Sequence, residues 1–357
     1  MFVSRSSSPV PVYYALCCPG LEDVVSAEIG ECDLEVLVAE ARLGWVIFAG
    51  GGTGAALPVL RSVDAVGLWL GSLDGLEPGA EGLCQIEEWA ASLEVSDALA
   101  HVRAIRDLPR LPHFRVSAHR VGTHSYTSMD LAAAVGGGIQ RDTGWPVRMR
   151  GYDINIVLRV TGRRAMAGLE LCDSAAEGAG PRPGGAARLK RGVAHCLVRM
   201  LGLAGPELVM DPMCGTGSIV LECVHLHPGA RVLGGDMDGR ALGIAAERSR
   251  AVSPAPGWVR WDARAIPLRS GCVDGVVCNL PFGRRVGSHR RNEHLYPGFF
   301  RELYRVLRPG GRAVLLTLEK RMTERLISKH HGLRVAGVRV VELSGLHPSV
   351  YELEKLA

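Results

Sequence analysis

The residues best suited to chemistry in this 357-residue chain are Asn279, Leu280, Pro281 and Phe282, which follow an apolar run at 273–277. The side-chain oxygen of Asn279 and the main-chain carbonyl of Leu280 can both accept hydrogen bonds from one exocyclic amino group. Those bonds would direct the weakly nucleophilic lone pair of that nitrogen toward an electrophilic methyl group. Phe282 offers a ring on which a planar base can stack. The motif indicates methyl transfer to an amino nitrogen, although a tight turn with a packed phenylalanine is the alternative.

A candidate cofactor site precedes this motif in the sequence. Residues 207–211 are typical of an apolar strand that ends in Asp211, and a turn with Gly215 and Gly217 then opens a helix. The two glycines permit a tight turn and a close approach of the backbone to a ligand. The order is neither the G-x-G-x-x-G of dinucleotide sites nor the G-K-[ST] ending of a phosphate loop. A turn without a phosphate cradle suits S-adenosylmethionine, whose sulfonium and amino-acid end need acids and carbonyls.

Two more acids follow strands in the same βα succession. A strand at 231–236 ends in Asp236, which is placed like the residue that binds ribose hydroxyls in doubly wound folds. A short strand at 258–261 precedes Asp262, which is suited to bond the adenine amino group. Any one of these acids could be a helix cap. Three acids, each after a strand, are hard to explain as caps, so the pattern predicts an S-adenosylmethionine site.

The rest of the C-terminal half completes the sheet. The predicted elements are a strand at 273–278, a helix at 296–307, a strand at 312–317, a helix at 322–329 and strands near 333–342 and 351–353. Seven strands with a closing hairpin form the methyltransferase variant of the doubly wound Rossmann fold. The substrate should lie outside the carboxyl ends of these strands, where the acids and Asn279 fall.

The N-terminal half predicts smaller α+β structure. Strands are expected at 12–17, 45–49, 114–120, 146–149 and 153–160, and helices from about 22 to 29 and from 131 to 139. Thr127 and Asp130 predict a capping box before the second helix. The Gly/Ala/Pro-rich stretch 174–187 predicts a linker, and 71–82 predicts a loose segment.

The chain resembles the THUMP-domain guanine-N2 RNA methyltransferases over nearly its whole length. Residues 211–217 and 279–283 closely match the family's cofactor and catalytic motifs. The tract 283–297 is similar to the segment after the catalytic motif in the eukaryotic branch, and 235–238 with 262–264 resembles the bacterial and archaeal tRNA enzymes. Leu280 replaces the first proline of many amino-methyltransferases but keeps the carbonyl. The resemblance implies N2-methylation of guanosine, most often at the sixth nucleotide of tRNA, in the acceptor stem.

The resemblance also implies a domain plan and a set of site residues. The plan is α/β: a ferredoxin-like domain at 1–65, a THUMP RNA-binding domain at 66–173, a linker at 174–187 and a seven-stranded Rossmann-fold methyltransferase domain at 188–357. The catalytic residues would be Asn279, Leu280, Pro281 and Phe282. The residues that bind S-adenosyl-L-methionine would be Asp211, Cys214, Gly215, Gly217, Asp236, Met237, Asp262, Ala263 and Asn279.

Clustered basic residues indicate where RNA would bind. One set directly follows the catalytic motif, beside the target pocket, and comprises Arg284, Arg285, Arg290 and Arg291. The second set lies in the THUMP segment and comprises Arg115, His119, Arg120 and Arg148. A charge run is usually only a solvated face. The position of the first set next to the catalytic motif favours contact with RNA phosphates.

The amino-acid composition excludes some classes of protein but does not identify the function. A net charge of +4 is compatible with RNA but far from diagnostic. Ten cysteines without a C-x-x-C pair predict a reducing cytoplasm, no disulfide framework and no metal site. No apolar run reaches the ~18 residues of a membrane span, and residues 1–20 lack a signal-peptide layout.

Several alternatives stay open at the level of sequence. The same chemistry could act on ribosomal or small nuclear RNA, since THUMP domains occur in such enzymes. An amino-methyltransferase of DNA adenine or protein glutamine shares the Asn-Pro-aromatic logic but does not need the THUMP-like half. A non-enzymatic RNA-binding protein is disfavoured by the intact set of acids with Asn279. The expected partner is tRNA, a small activator subunit is possible as in eukaryotic relatives, and a monomer is favoured.

Overall fold

The computed structural model describes residues 10–32, 37–50, 60–173, 188–203, 205, 207–282 and 289–356. These residues form two compact units. The first unit comprises Met1–Leu16, Ser26–Leu60 and Asp64–Ser174, and the second comprises Cys17–Val25, Arg61–Val63 and Ala175–Ala357. Each unit is built on one seven-stranded sheet.

The described residues of the N-terminal half form seven strands and four helices. In chain order they are β1 (Val12–Leu16), α1 (Glu22–Glu31), β2 (Leu37–Arg42), β3 (Trp45–Ala49), β4 (Ala65–Asp74), α2 (Glu81–Ala91), α3 (Val95–Arg103), β5 (Phe114–Val121), α4 (Ser128–Thr143), β6 (Ile154–Thr161) and β7 (Arg164–Asp173). The strand order is β2-β3-β1-β4-β7-β6-β5. Among the paired strands that the structure describes in this sheet, β5 and β6 are parallel and the other pairs are antiparallel.

The predicted capping box is confirmed at the start of α4. The Thr127 hydroxyl accepts a hydrogen bond from the Asp130 N–H at 3.2 Å, and the Asp130 carboxylate accepts one from the Thr127 N–H at 2.7 Å. This reciprocal pair satisfies two backbone donors that a helix start otherwise leaves unpaired. Gly144 ends the same helix in a left-handed conformation.

The C-terminal half contains the methyltransferase sheet. Its elements are α5 (Arg191–Met200), β8 (Leu208–Asp211), α6 (Ser218–Leu226), β9 (Arg231–Asp236), α7 (Gly239–Arg248), β10 (Gly257–Arg260), β11 (Val273–Asn279), α8 (His289–Val306), β12 (Leu307–Thr317), α9 (Lys320–Lys329), β13 (Leu333–Val340) and β14 (Ser349–Lys355). The strand order is β10-β9-β8-β11-β12-β14-β13, with β14 antiparallel to both neighbours. The chain reverses its direction of winding between β8 and β11, where a crevice for ligands forms in doubly wound sheets.

Helix α8 packs against this sheet through large apolar residues. Tyr296, Phe299, Phe300 and Leu303 are fully buried in one cluster with side chains of β11 and β12, including Val276 and Leu315. Burial of each such side chain stabilises the fold by roughly 1.5–3 kcal/mol. The packing fixes α8 beside the loop that follows β11.

Some local predictions are wrong. The strand predicted at 146–149 reduces to a single bridge between Val147 and Phe114. The segment 71–82, predicted as loose, begins with the end of β4, because Gly71 lies at a register shift within the strand and does not end it. Strand β12 begins at Leu307 rather than at 312, since the glycines at 310–311 lie within it. Elements β2, β4, α2, α3, β7 and α5 were not predicted from the sequence.

Candidate active site

Two backbone turns at the carboxyl ends of β8 and β9 are joined by hydrogen bonds. The Cys214 N–H donates to the Gly235 carbonyl at 2.9 Å, and the Gly215 N–H donates to Oδ2 of Asp236 at 2.8 Å. Asp211, at the end of β8, is the register partner of Gly234 in β9. The structure therefore brings the first two predicted acids and the glycine turn to one edge of the sheet.

The two glycines of this turn have different surroundings. Gly215 and Gly217 both have positive φ, at 52° and 79°. A Cβ atom at Gly217 would lie 2.5 Å from the Trp258 ring, whereas a Cβ atom at Gly215 would meet nothing within 4 Å. Gly217 is thus required by the packing of the protein itself. Gly215 borders open space that a ligand can fill.

Asp211 is a buried carboxyl group. Burial raises the pKa of Asp211 to about 7, and the negative charge of Asp236 acts in the same direction, while hydrogen bonds from the Met213 N–H and the Cys278 thiol oppose the shift. The Met213 N–H donates to Oδ1 at 3.1 Å. A carboxylate in these surroundings gains strongly from a cation placed near it.

Asp236 is half-buried and is held by backbone donors. Its Oδ1 accepts from the Asp238 N–H and its Oδ2 from the Gly215 N–H, both at 2.8 Å. A carboxylate has about four acceptor positions, so these bonds leave capacity for hydroxyl donors. The neighbouring Met237 side chain is 59% exposed, which makes it available to cover an aromatic ring.

Asp262 follows β10 and is tightly paired with Arg264. Arg264 Nη2 lies 2.6 Å from Oδ2, and the Arg264 N–H donates to Oδ1 at 2.9 Å. The hydrogen bonds from the Arg264 side chain lower the pKa of Asp262. The carboxylate is therefore ionised and fixed in orientation, and Ala263 beside it is buried.

Two tryptophans that support the cofactor edge were missed as site residues from the sequence. Trp261 Nε1 donates to the Pro212 carbonyl at 3.0 Å, and a Cβ atom at Gly235 would lie 1.8 Å from the Trp261 ring. Trp258 packs in the same way over Gly234 and Gly217. The glycine pair in β9 is the signal that could have indicated these rings in β10 and directly after it.

The catalytic motif begins where β11 ends. Asn279 pairs with Leu316 of β12, and the Leu280 N–H donates to the Leu316 carbonyl at 2.9 Å. The Oδ1 atom of Asn279 is buried and has no hydrogen-bond partner among the described residues. A buried acceptor without a donor costs about 1–3 kcal/mol, so this atom is suited to a donor that a ligand supplies.

Two side chains of α8 bind the main chain of the same motif. The Pro281 carbonyl accepts hydrogen bonds from Asn292 Nδ2 at 2.8 Å and from the Tyr296 hydroxyl at 3.1 Å. Phe282, which follows, is half-buried. Sequence reasoning included the two α8 residues only in a stretch of family similarity and assigned neither a role.

The predicted RNA-binding residues of the first unit do not form one cluster. Arg115 and His119 point to one face of β5, and Arg120 points to the other, because alternate residues of a strand face opposite sides. Arg148 is exposed in the segment that precedes β6. Arg115 is engaged within the unit, since its Nε donates to Asn155 Oδ1 at 3.1 Å and its guanidinium carbon lies 4.1 Å from the centre of the Tyr152 ring.

The basic residues after the catalytic motif are only partly described. Arg284 and Arg285 lie outside the described residues. Arg290 and Arg291 belong to the first turn of α8, but their side chains lie outside the described set as well. Their contact with RNA stays a prediction.

In the parts of the chain that the structure describes, no group of three or more metal-ligating side chains occurs. None of the described helices is both long and apolar enough to cross a membrane.

Comparison with known proteins identifies the family. An RMKL-like methyltransferase domain matches residues 181–349, and a THUMP domain matches residues 91–170. The tRNA (guanine(6)-N2)-methyltransferase of Thermus thermophilus is 35% identical over 247 residues, which cover 68% of this chain and 72% of that protein. The chain belongs to the THUMP-domain tRNA guanine-N2 methyltransferase family.

Other members of this family agree with the assignment. The mouse tRNA (guanine(6)-N(2))-methyltransferase THUMP3 is 32% identical over 265 residues, which cover 70% of this chain and 52% of the mouse protein. The chain thus spans about half the length of the mammalian relatives it matches. The crystal structure of TrmN from Thermus thermophilus superposes with a TM-score of 0.72 at 29% identity and covers 97% of this chain and 99% of that one. The predicted family and α/β fold class are confirmed, and the domain boundaries stay predictions.

Proposed function

We propose that this protein transfers a methyl group from S-adenosyl-L-methionine to N2 of a guanosine in tRNA, with guanosine 6 of the acceptor stem as the target. The observation that carries the proposal is the buried Oδ1 of Asn279, which has no hydrogen-bond partner among the described residues. The exocyclic amino group of guanine is the donor that this acceptor needs. Family membership supports tRNA as the substrate, as do the Thermus and mouse relatives, which are both tRNA (guanine(6)-N2)-methyltransferases.

The residues at the carboxyl ends of β8, β9 and β10 fit S-adenosylmethionine. These residues are carboxylates and a glycine turn bordered by open space. Such a site suits a cationic ligand without phosphates. Asp236 would bind the ribose hydroxyls, and Asp262 would bind the adenine amino group between Met237 and Ala263. Asp211 and the turn from Cys214 to Gly217 would bind the methionine end. When bound, the cofactor supplies an electrophilic methyl group.

The protein's own contribution to the reaction is to orient the acceptor nitrogen. The target guanine leaves its stack, as bases inside duplexes must, and stacks on Phe282. Asn279 Oδ1 and the Leu280 carbonyl then each accept one hydrogen from N2, which directs its lone pair toward the cofactor. The nitrogen becomes acidic once it is alkylated, so its proton can leave after the transfer. Positioning therefore supplies most of the rate.

The partners of the reaction follow from the same proposal. The THUMP domain would bind the tRNA, with Arg115, His119, Arg120 and Arg148 as candidate contacts and the arginines after the catalytic motif as a second set. Reaction in the cytoplasm, as a monomer, is the simplest arrangement. A small activator subunit would show itself as activity that appears only after addition of a cell extract.

The experiment that tests the function is nucleoside mass spectrometry of tRNA incubated with the purified protein and isotope-labelled S-adenosylmethionine. We expect labelled N2-methylguanosine, and we expect Asn279→Ala to abolish it. An absence of label in tRNA despite cofactor binding would exclude tRNA as the sufficient substrate. An absence of cofactor binding would exclude the methyltransferase function itself.

A further inference from the structure

The carbonyl group of Pro281 is held by a short chain of buried side chains. Asn292 Nδ2 donates to it at 2.8 Å and the Tyr296 hydroxyl at 3.1 Å. The Tyr296 oxygen lies 2.9 Å from the Thr317 hydroxyl oxygen. Tyr296, Thr317 and Asn292 all have no exposed surface. We call these three side chains the Pro281 clamp.

The direction of each hydrogen bond in the Pro281 clamp is determined by chemistry. The Pro281 carbonyl can only accept, so the single hydroxyl proton of Tyr296 must point to it. Thr317 must then donate its own hydroxyl proton to the Tyr296 oxygen. The Thr317 oxygen in turn accepts from the Glu319 N–H at 2.9 Å. The hydrogen bonds therefore all run in one direction, from the Glu319 N–H through Thr317 and Tyr296 to the Pro281 carbonyl of the catalytic motif.

The orientation of the Asn292 amide is determined in the same way. Its nitrogen lies near two acceptors, the Pro281 carbonyl at 2.8 Å and Glu319 Oε1 at 3.2 Å. The reverse orientation would place the amide oxygen against both of them, so the nitrogen must face them. Oδ1 of Asn292 is then buried and has no partner among the described residues.

An asparagine whose buried oxygen has no donor among the described residues is not the most stable choice for this position. A buried acceptor without a donor costs about 1–3 kcal/mol, and an apolar side chain of similar volume would avoid that cost. What the asparagine supplies is a pair of N–H donors, one of which binds the Pro281 carbonyl. Its presence is therefore better explained by a role in holding the catalytic motif in place than by a contribution to the stability of the fold.

The other end of the motif is fixed as well. The Leu280 N–H is bonded to Leu316 of β12, and the proline ring restricts φ of Pro281 to about −65°. With the Pro281 carbonyl also held, the peptide planes on both sides of Pro281 cannot rotate independently. These planes carry the Leu280 carbonyl and lead to Phe282, the two groups that would orient and stack the base.

We propose that Asn292 and Tyr296 are positioning residues for methyl transfer. They hold the Pro281 carbonyl and thereby keep the Leu280 carbonyl, Phe282 and the acceptor Oδ1 of Asn279 in the arrangement that orients the amino group. Neither residue touches the base. The inference rests on the proposed function. It assigns a role to two residues in the first half of α8, which lies outside the cofactor and catalytic motifs.

The kinetic test uses Tyr296→Phe and Asn292→Leu, which keep the approximate shape of each side chain and remove its donors. We expect kcat to fall ~10- to 100-fold, because a displacement of about 1 Å in a reacting pair can cost that much. The Kd for S-adenosylmethionine and the KM for tRNA should change less than about 3-fold, since the cofactor acids are untouched. Tyr304→Phe, which removes a hydroxyl from the partly exposed end of the same helix, is the matched control and should leave kcat unchanged.

A double-mutant cycle separates positioning from a general loss of structure. If the Pro281 clamp acts in part through Asn279, then Tyr296→Phe should cause a smaller loss of kcat in an Asn279→Ala background than in the wild type. Full additivity of the two effects would overturn the proposal. A wild-type kcat in both single variants, or a parallel rise in the cofactor Kd, would overturn it as well.

A second measurement does not depend on activity. Hydrogen exchange of the Leu280 amide, followed by NMR or mass spectrometry, should accelerate at least ~10-fold in Tyr296→Phe and stay unchanged in Tyr304→Phe, because local opening exposes this amide. Unchanged exchange would overturn the clamp even if the function is right. Faster exchange in a protein that methylates no RNA would support the clamp and contradict the proposed function.

Discussion

The carboxylate of Asp236 fixes the glycine turn of the predicted cofactor site, because its Oδ2 accepts a hydrogen bond of 2.8 Å from the N–H of Gly215. The bond joins the end of β9 to the loop after β8. Oδ1 of the same carboxylate holds the N–H of Asp238. One side chain thus organises two backbone segments and keeps acceptor positions for a ligand. Loss of this carboxylate should affect both the turn and the ligand.

Replacement of Asp236 by alanine should weaken S-adenosylmethionine binding at least ~10-fold. Hydrogen bonds to a charged group contribute about 1.5–3 kcal/mol each, and the variant loses those to the ribose together with the one that fixes Gly215. Isothermal titration calorimetry measures the Kd directly. Asp238→Asn is the matched control, because it removes a nearby charge and keeps an oxygen that can cap α7. An equal Kd in wild type and Asp236→Ala would contradict this role.

The two glycines of the cofactor turn should respond differently to alanine. Gly217→Ala places a Cβ atom 2.5 Å from Trp258 at a φ of 79°, so we expect the free energy of unfolding to fall by more than about 2 kcal/mol. Gly215→Ala meets no protein atom within 4 Å and should cost only about 1 kcal/mol for its left-handed conformation. It should nevertheless weaken cofactor binding.

Urea denaturation and calorimetry of both glycine variants check this contrast. Equal losses of stability would show that Trp258 does not confine Gly217. Full cofactor affinity in Gly215→Ala would show that the open space beside Gly215 is not where the ligand lies.

The raised pKa of Asp211 should make stability depend on pH. Burial raises this pKa to about 7 in the folded protein, whereas an unfolded aspartate has a pKa near 3.9. The folded state therefore binds more protons than the unfolded state between about pH 4 and pH 7, so the contribution of Asp211 to stability falls as pH rises through this window. Asp211→Asn removes the titration. Its free energy of unfolding relative to wild type should increase from pH 4 to pH 7 by a few kcal/mol, as measured by urea denaturation. A flat difference across that range would contradict the shifted pKa.

Binding of a cationic ligand should cause Asp211 to lose its proton. A positive charge near the carboxyl group favours its ionised form, so the Kd for S-adenosylmethionine should weaken about 10-fold from pH 8 to pH 6 if the group has a pKa near 7. Calorimetry in two buffers with different heats of ionisation should detect the released proton. Asp211→Asn should bind more weakly at pH 8 and lose the pH dependence. A wild-type Kd that does not change with pH would exclude Asp211 from the neighbourhood of the charge.

The acids and the catalytic asparagine were predictable from the sequence because they are local to single strands. Asp211, Asp236 and Asn279 each end a strand, and an apolar run followed by a polar residue identifies such a position without knowledge of the partners. The order of the βα units then decides which strand ends meet. The fold class followed from the same regular succession.

The supporting residues could not be predicted, because they act across the tertiary structure. Tyr296 reaches Pro281 over 15 positions of sequence, and Trp261 reaches Pro212 over 49. Neither has a local pattern that differs from that of an ordinary core aromatic. Arg264 is different, because it lies only two positions from Asp262, but a lone charge at such a position is usually assigned to solvent.

The predicted strand boundaries were wrong where a glycine could belong either to a loop or to a bulge within a strand. Gly71 and the glycines at 310–311 were interpreted as breaks, but they lie within β4 and β12. A glycine at a bulge and a glycine in a loop have the same local sequence, and only the neighbouring strand distinguishes them.

The central claim is that Asn279 acts mainly by orienting the acceptor nitrogen and contributes little to cofactor affinity. Single-turnover transfer from labelled S-adenosylmethionine to tRNA, measured for wild type and Asn279→Ala together with the cofactor Kd of each, tests it most directly. We predict that the rate constant falls at least ~10²-fold while the Kd changes less than about 3-fold. A retained rate constant, or a loss of cofactor affinity as large as the loss of rate, would contradict the account.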